Sequence, residues 1–180
     1  MEQSARFSPE QIEVVNNATA TAEELVNEHY KMSASQWLHS VYDIKTIANL
    51  KPDEIVEGPY AQIIRYEGKR RDDLLGLSSY DFYKICIQDH AILATLNRES
   101  RILLFPFTLY IVAHELIHVV RFRKFLQNFS ASPQEALDEE KRVHAVTRKI
   151  LSNVRIPGIE EVLEYYRSWH TPLEDLKGLN

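Results

Sequence analysis

A chain of 180 residues, 44% hydrophobic and 26% charged, is long enough to bury a core of its own and is most simply one domain. Its net charge of -5 disfavours a general nucleic-acid-binding role. The single cysteine, Cys86, excludes an internal disulfide and fits a reducing, cytoplasmic setting, and the opening residues MEQSARFSPEQIE lack the basic and apolar regions of a secretory signal.

In chain order, Ser8-Pro9-Glu10-Gln11 opens a helix, and Ile12, Val15, Ala18, Ala22, Leu25 and Val26 keep helical spacing to about Tyr30. A second helix is expected from Ser35 to Leu50, with Trp37, Leu38, Val41, Tyr42 and Ile44 as its apolar stripe, ending at Lys51-Pro52-Asp53. After Gly58-Pro59 the character changes. Tyr60 to Tyr66 alternates and is rich in β-formers, residues 67–79 read as a polar loop, and Tyr80 to Gln88 reads as a second strand. Ala91 to Leu96 is a short helix or a turn, and Arg101 to Phe105 a third short strand. Helices follow over 106–127, 133–151 and 158–169, the last after Ile156-Pro157-Gly158. A small sheet beside helices is an α+β arrangement. Residues 1–57 form its helical N-terminal part, 60–152 its core, and 156–180 a C-terminal helix and tail.

The most specific chemical proposal lies in Ala113-His114-Glu115-Leu116-Ile117-His118-Val119, an HExxH motif. On a helix His114 and His118 leave one face about 6 Å apart along the axis, so both imidazoles can reach one zinc ion. Glu115 lies about 100° round the helix, where it addresses a water rather than the metal. The surrounding run from Arg101 to Phe122 is the most hydrophobic in the chain, which implies a central, buried helix. Two histidines and a glutamate there need partners, and a metal supplies them. The plainer alternative makes them core histidines satisfied by carbonyls, with Glu115 paired to Arg121 or Lys124. A membrane span is disfavoured, because three ionisable groups interrupt the segment.

A catalytic zinc site takes three protein ligands and leaves a position for water. The longer HExxHxxGxxH pattern fails, since Arg121 and Lys124 stand where its Gly and third His belong. The next helix opens with Ser132-Pro133-Gln134-Glu135, a capping-box start, and carries Glu140 and His144 four apart on one face. Its acidic run also fits a simple solvated face.

With these residues the chain resembles the gluzincin branch of the zincin metallopeptidases, particularly its minimal single-domain members, over roughly Tyr60 to Ser152. The resemblance implies a zincin-like fold, a small mixed sheet packed on the central HExxH helix with further helices at both ends. It implies His114 and His118 as zinc ligands, Glu115 as general base and Glu140 as third ligand. His144 falls at the position that commonly holds an Asp orienting a metal-bound histidine. It departs from the pattern there, and His144 or Glu139 stays open as an alternative ligand. In that family an edge strand upstream of the HExxH helix holds an extended substrate, a role open to Phe82 to Gln88 or Arg101 to Phe105.

The activity implied is zinc-dependent hydrolysis of a peptide or protein substrate, with no nucleic-acid or membrane partner. Candidates to stabilise the oxyanion are Tyr83, Tyr165, Tyr166, His170 and Arg142, although Tyr165, Tyr166, Trp169 and His170 also suit docking of the last helix. Three rival readings remain. One is a non-catalytic zinc-binding regulatory protein on the same scaffold. Another is a di-iron bundle using Glu115 and His118, for which Glu140 to His144 is one residue too long. The last is a Cys86 thiol nucleophile paired with His90.

Overall fold

The computed structural model describes residues 5–33, 41–69, 79–124 and 129–167. Its first helix, α1 (Pro9–Tyr30), begins at a capping box: the Ser8 hydroxyl accepts the Gln11 N–H, and the Gln11 side chain accepts the Ser8 N–H. Pro9 occupies the first turn, where a missing N–H costs nothing. Lys31 ends the helix in the left-handed region at φ 51. Val15, Ala18, Ala22 and Val26 form its buried stripe.

Three strands follow, β1 (Tyr42–Lys45), β2 (Ala61–Lys69) and β3 (Ser79–Ile87). They form a mixed sheet in the order β1-β3-β2, with β1 parallel and β2 antiparallel to the central β3. Ile85 and Cys86 are both fully buried, so β3 is covered on both faces, as a central strand must be. Two short 3-10 turns, Ile47–Asn49 and Pro52–Glu54, link β1 to β2. The buried carboxylate of Glu54 ties this link to the sheet by accepting from the Lys51 N–H, the Tyr66 hydroxyl and the Lys84 ammonium at 2.8, 2.8 and 2.7 Å.

The helix α2 (Asp89–Arg98) follows β3 directly. Its buried Asp89 accepts the N–H groups of Phe7 and Ile47, each at 3.0 Å, fixing both segments to the start of the helix. Next come α3 (Leu104–Arg123), α4 (Pro133–Leu151) and α5 (Ile159–Arg167). Fourteen of the 20 residues of α3 are buried, which makes it the centre of the molecule. The small stripe of α1 lies along it, α4 and α5 pack on it, and β2 approaches it. By length and hydropathy α3 is apolar enough to cross a membrane, but most of its surface is buried within the fold. Truncating a fully buried residue such as Leu109 or Ile117 to Ala would cost about 2–5 kcal/mol.

The α+β class and the small mixed sheet therefore agree with expectation, as do α1, β2, β3 and α4. Other elements differ. The expected helix over 35–50 is not formed in its described part, residues 41–50. Tyr42 to Lys45 instead pair in register with Tyr83 to Cys86, and sheet pairing overrides a helical spacing of apolar residues. Residues 34–40 lie outside the described residues. The supposed loop at 67–79 is shorter, because Lys69 still pairs with Ser79, and 70–78 lie outside the described residues.

Arg101 to Phe105 is not a strand. The helix α3 already starts at Leu104, with Pro106 in its first turn where no N–H is needed. The other proposed edge strand, Phe82 to Gln88, falls in the central strand β3 up to Ile87, and its Tyr83 to Cys86 are paired on both sides. Ala91 to Leu96 lies within the longer α2. The C-terminal end of α3 comes at Arg123 rather than Gln127, and 125–128 lie outside the described residues, as do 168–180 with Trp169 and His170.

Candidate metal centre

The centre is built on one face of α3. Tyr110, His114, His118 and Phe122 recur every four residues, so their rings stand one above another along the helix. His114 and His118 are buried, at 7% and 5% exposure. Opposite them stands α4, whose start is fixed by the Ser132–Glu135 capping box. Its side facing α3 is held by Glu139, which pairs with Arg121 of α3 and with Arg142 one turn on. The next residue, Glu140, is thereby turned toward the two imidazoles.

Three ligand-type side chains meet here. The His118 Nε2 lies 2.8 Å from Glu140 Oε1, and the His114 Nε2 3.1 Å from Glu140 Oε2. The two Nε2 atoms are 3.2 Å apart. One donor atom from each residue can be chosen so that all lie within 4.8 Å of one another. Two nitrogens bound to one tetrahedral zinc at 2.0–2.1 Å would be separated by about 3.3 Å, so the histidine spacing fits such an ion. Two imidazoles and one carboxylate also suit zinc, copper, iron or nickel chemically.

The electrostatics favour a cation. Burial, followed by the neighbouring His144, pushes the His114 imidazole down to about 4 against the pull of Glu140. His114 is therefore neutral at physiological pH, the form that binds metals. Burial alone would raise Glu140, but His114 and His118 outweigh it and hold the carboxyl below its ordinary range. The His114 Nδ1 is buried and has no hydrogen-bond partner among the described residues. Metal-binding histidines ordinarily donate this N–H to a carbonyl or carboxylate, and here the ring is held by packing against Tyr110 and His144 instead.

The expected residues thus fall into distinct places. His114, His118 and Glu140 come together. Glu115 sits on the same turn of α3, partly exposed, and outside that triad. Glu139 lies outside that triad, its carboxylate engaged by two guanidinium groups, those of Arg121 and Arg142. His144 lies beside the triad, its Nε2 3.8 Å from Glu140 Oε2 and its ring 4.3 Å from that of His114.

Of the oxyanion candidates, Tyr83 stacks on Phe122, Tyr165 bonds the Tyr60 hydroxyl at 2.7 Å, and Arg142 holds Glu139. Tyr166 stacks on Tyr110 and touches His144, while His170 lies outside the described residues. Cys86 is buried in β3 with its thiol pushed up to about 12 by burial and Glu54, which leaves no thiolate for nucleophilic attack.

Tyr110 is the residue that sequence reasoning missed. Its hydroxyl bonds His144 Nδ1 at 2.7 Å, and its position one turn before His114 was the available signal. Comparison of the chain with family models, curated proteins and solved structures finds no match.

Proposed function

We propose that His114, His118 and Glu140 hold a zinc ion and that the protein is a zinc-dependent hydrolase, with peptide bonds as its substrate class and a zincin-like reading of its α+β fold. The observation that carries the reading is the convergence of three ligand side chains from α3 and α4 at mutual distances suited to one ion. The HExxH spacing adds a carboxylate, Glu115, on the same helical turn. Zinc, when bound, supplies Lewis acidity toward a carbonyl and toward water.

The chain's own groups supply the remaining work. His114 and His118 present their Nε2 atoms from a rigid, buried helix, so little reorganisation is needed on loading. Glu140 contributes the negative charge that makes the donor set selective for a dication. Glu115 takes a proton from the attacking water and delivers it to the leaving amine. The packed surroundings of α3 limit competing water and strengthen these charges.

A second reading, zinc binding without catalysis in a regulatory role, is favoured by the crowding of the His144 ring against His114 and Glu140. One experiment separates the two. The purified protein should bind about one equivalent of zinc, and His118→Ala should abolish it. Glu115→Gln should retain the metal and lose cleavage of a fluorogenic peptide library. Zinc content unchanged in His118→Ala overturns the site. Undiminished cleavage in Glu115→Gln removes Glu115 from its role, and metal loading with no cleavage by the native protein favours the regulatory reading.

A further inference from the structure

The residue beside the triad carries a more specific role. His144 Nδ1 lies 2.7 Å from the Tyr110 hydroxyl, while its Nε2 faces Glu140 Oε2 at 3.8 Å. A neutral imidazole has one N–H and one lone pair, and an ionised carboxylate only accepts. If Nδ1 carried the proton, the Nε2 lone pair would point at carboxylate lone pairs. The tautomer that avoids this clash places the proton on Nε2 and makes Nδ1 the acceptor of the Tyr110 O–H. The direction of the chain follows: Tyr110 donates to His144, and His144 presents N–H to Glu140.

We infer that Tyr110 and His144 form a positioning pair that sets the orientation of the Glu140 carboxylate toward a bound metal ion. The inference rests on the reading that His114, His118 and Glu140 hold that ion.

Two further contacts make the pair rigid enough for the task. The Tyr110 ring is nearly fully buried, at 1% exposure, and is stacked on Tyr166 of α5 with centroids 3.9 Å apart and planes 11° from parallel. The His144 ring lies against both Tyr166 and His114. One hydrogen-bonded line therefore connects α3, α4 and, through the stack, α5. It approaches Glu140 at Oε2, the oxygen that also lies 3.1 Å from His114 Nε2, while Oε1 lies 2.8 Å from His118 Nε2. A ligand carboxylate restrained on one oxygen loses less freedom on binding. The small gap of 3.8 Å makes the His144 contact electrostatic rather than a formed hydrogen bond.

The test compares zinc affinity by competition with a chromophoric chelator, and the cobalt(II) visible spectrum, for the full-length native chain and three variants. Tyr110→Phe removes one oxygen and should weaken zinc binding by up to about tenfold. His144→Ala should weaken it by about 10- to 100-fold. The double variant should match His144→Ala, because Tyr110 acts through His144. All three should keep one metal per chain, an altered cobalt(II) band, and two histidines in the coordination shell by X-ray absorption.

Native affinity in His144→Ala overturns the pair, and so do additive losses in the double variant. A fall from three coordinated histidines to two on replacing His144 overturns it too, by making that residue a ligand. Thermal melting confirms folding of each variant; Tyr110→Phe, which keeps the ring stack, covers the case in which His144→Ala does not fold. His118→Ala is the separate control: if it binds zinc as the native chain does, the metal site fails rather than the pair.

Discussion

Glu139 and Glu140 are neighbours of identical chemistry, and the fold predicts different consequences for replacing them. Glu139 has a side-chain exposure of 7% and faces Arg121 at 12% and Arg142 at 56%. Glu139→Gln keeps the shape and removes the charge, leaving the Arg121 guanidinium largely buried without its anion. Breaking a buried pair on one side costs about 3–5 kcal/mol, and the exposed Arg142 contact adds at most about 1 kcal/mol. Because Arg121 retains some solvent contact, the lower end applies. A loss of about 3 kcal/mol in a chain of this size lowers Tm by about 6–12 °C.

Zinc affinity should change by less than about tenfold in Glu139→Gln, since the amide oxygen can still accept from Arg121 and hold α4 in place, and the group lies outside the triad. Glu140→Gln should act chiefly on the metal. Zinc binding weakens by more than about a hundredfold, because an amide replaces a ligand carboxylate. Thermal and urea unfolding of the metal-free proteins, with zinc competition titrations, measure both quantities. If Glu139→Gln loses zinc and keeps its Tm, the assignment of the two side chains is reversed and the reasoning fails.

Two predictions concern groups away from the centre. Lys84, with further help from the Lys51 N–H and Tyr66, overcomes burial and lowers Glu54 from 4.5 to about 2. A depressed carboxyl stabilises the fold above its unfolded value and loses that contribution as pH falls through its folded value. Glu54 should thus contribute roughly 3 kcal/mol at neutral pH, lost between about pH 5 and 2. Urea unfolding across that range should show Glu54→Gln less stable at pH 7 and less sensitive to acid; an unchanged pH slope would count against the buried pair. Cys86, buried and pushed up to about 12, should react with an aromatic disulfide reagent at pH 8 at least about a hundredfold more slowly in the native than in the unfolded chain. Stoichiometric labelling of the native protein within minutes would show the thiol to be reachable.

Local signals account for what was legible in the sequence. The capping boxes at Ser8 and Ser132 set the starts of α1 and α4 because their chemistry is complete within four residues. The same holds for the His114–His118 spacing, which depends only on helical geometry. What failed depended on partners distant in the chain. The segment Val41 to Leu50 carries apolar residues at helical intervals, yet Tyr42 to Lys45 become a strand because β3 offers them hydrogen bonds across 41 residues of sequence, as in Tyr42 with Tyr83. The start of α3 was missed because Leu104 and Phe105 have strand-like neighbours, while Pro106 tolerates a first-turn position that its φ preference does not uniquely announce.

The choice between Glu139 and Glu140 shows the same division at the scale of one site. Neighbouring helix residues differ by about 100° in direction, so the rotational setting of α4 on α3 decides which carboxylate faces the histidines. That setting is fixed by Arg121, the residue that also breaks the longer HExxHxxGxxH pattern. In the sequence Arg121 was only a mismatch; in the fold it pairs with Glu139, while Glu140 faces His114 and His118. The arginine that replaces the glycine of the longer pattern is therefore also the group that holds Glu139 beside the ligand Glu140. Removing it by Arg121→Met should both destabilise the α3–α4 contact and loosen the triad, coupling stability to metal affinity through one side chain.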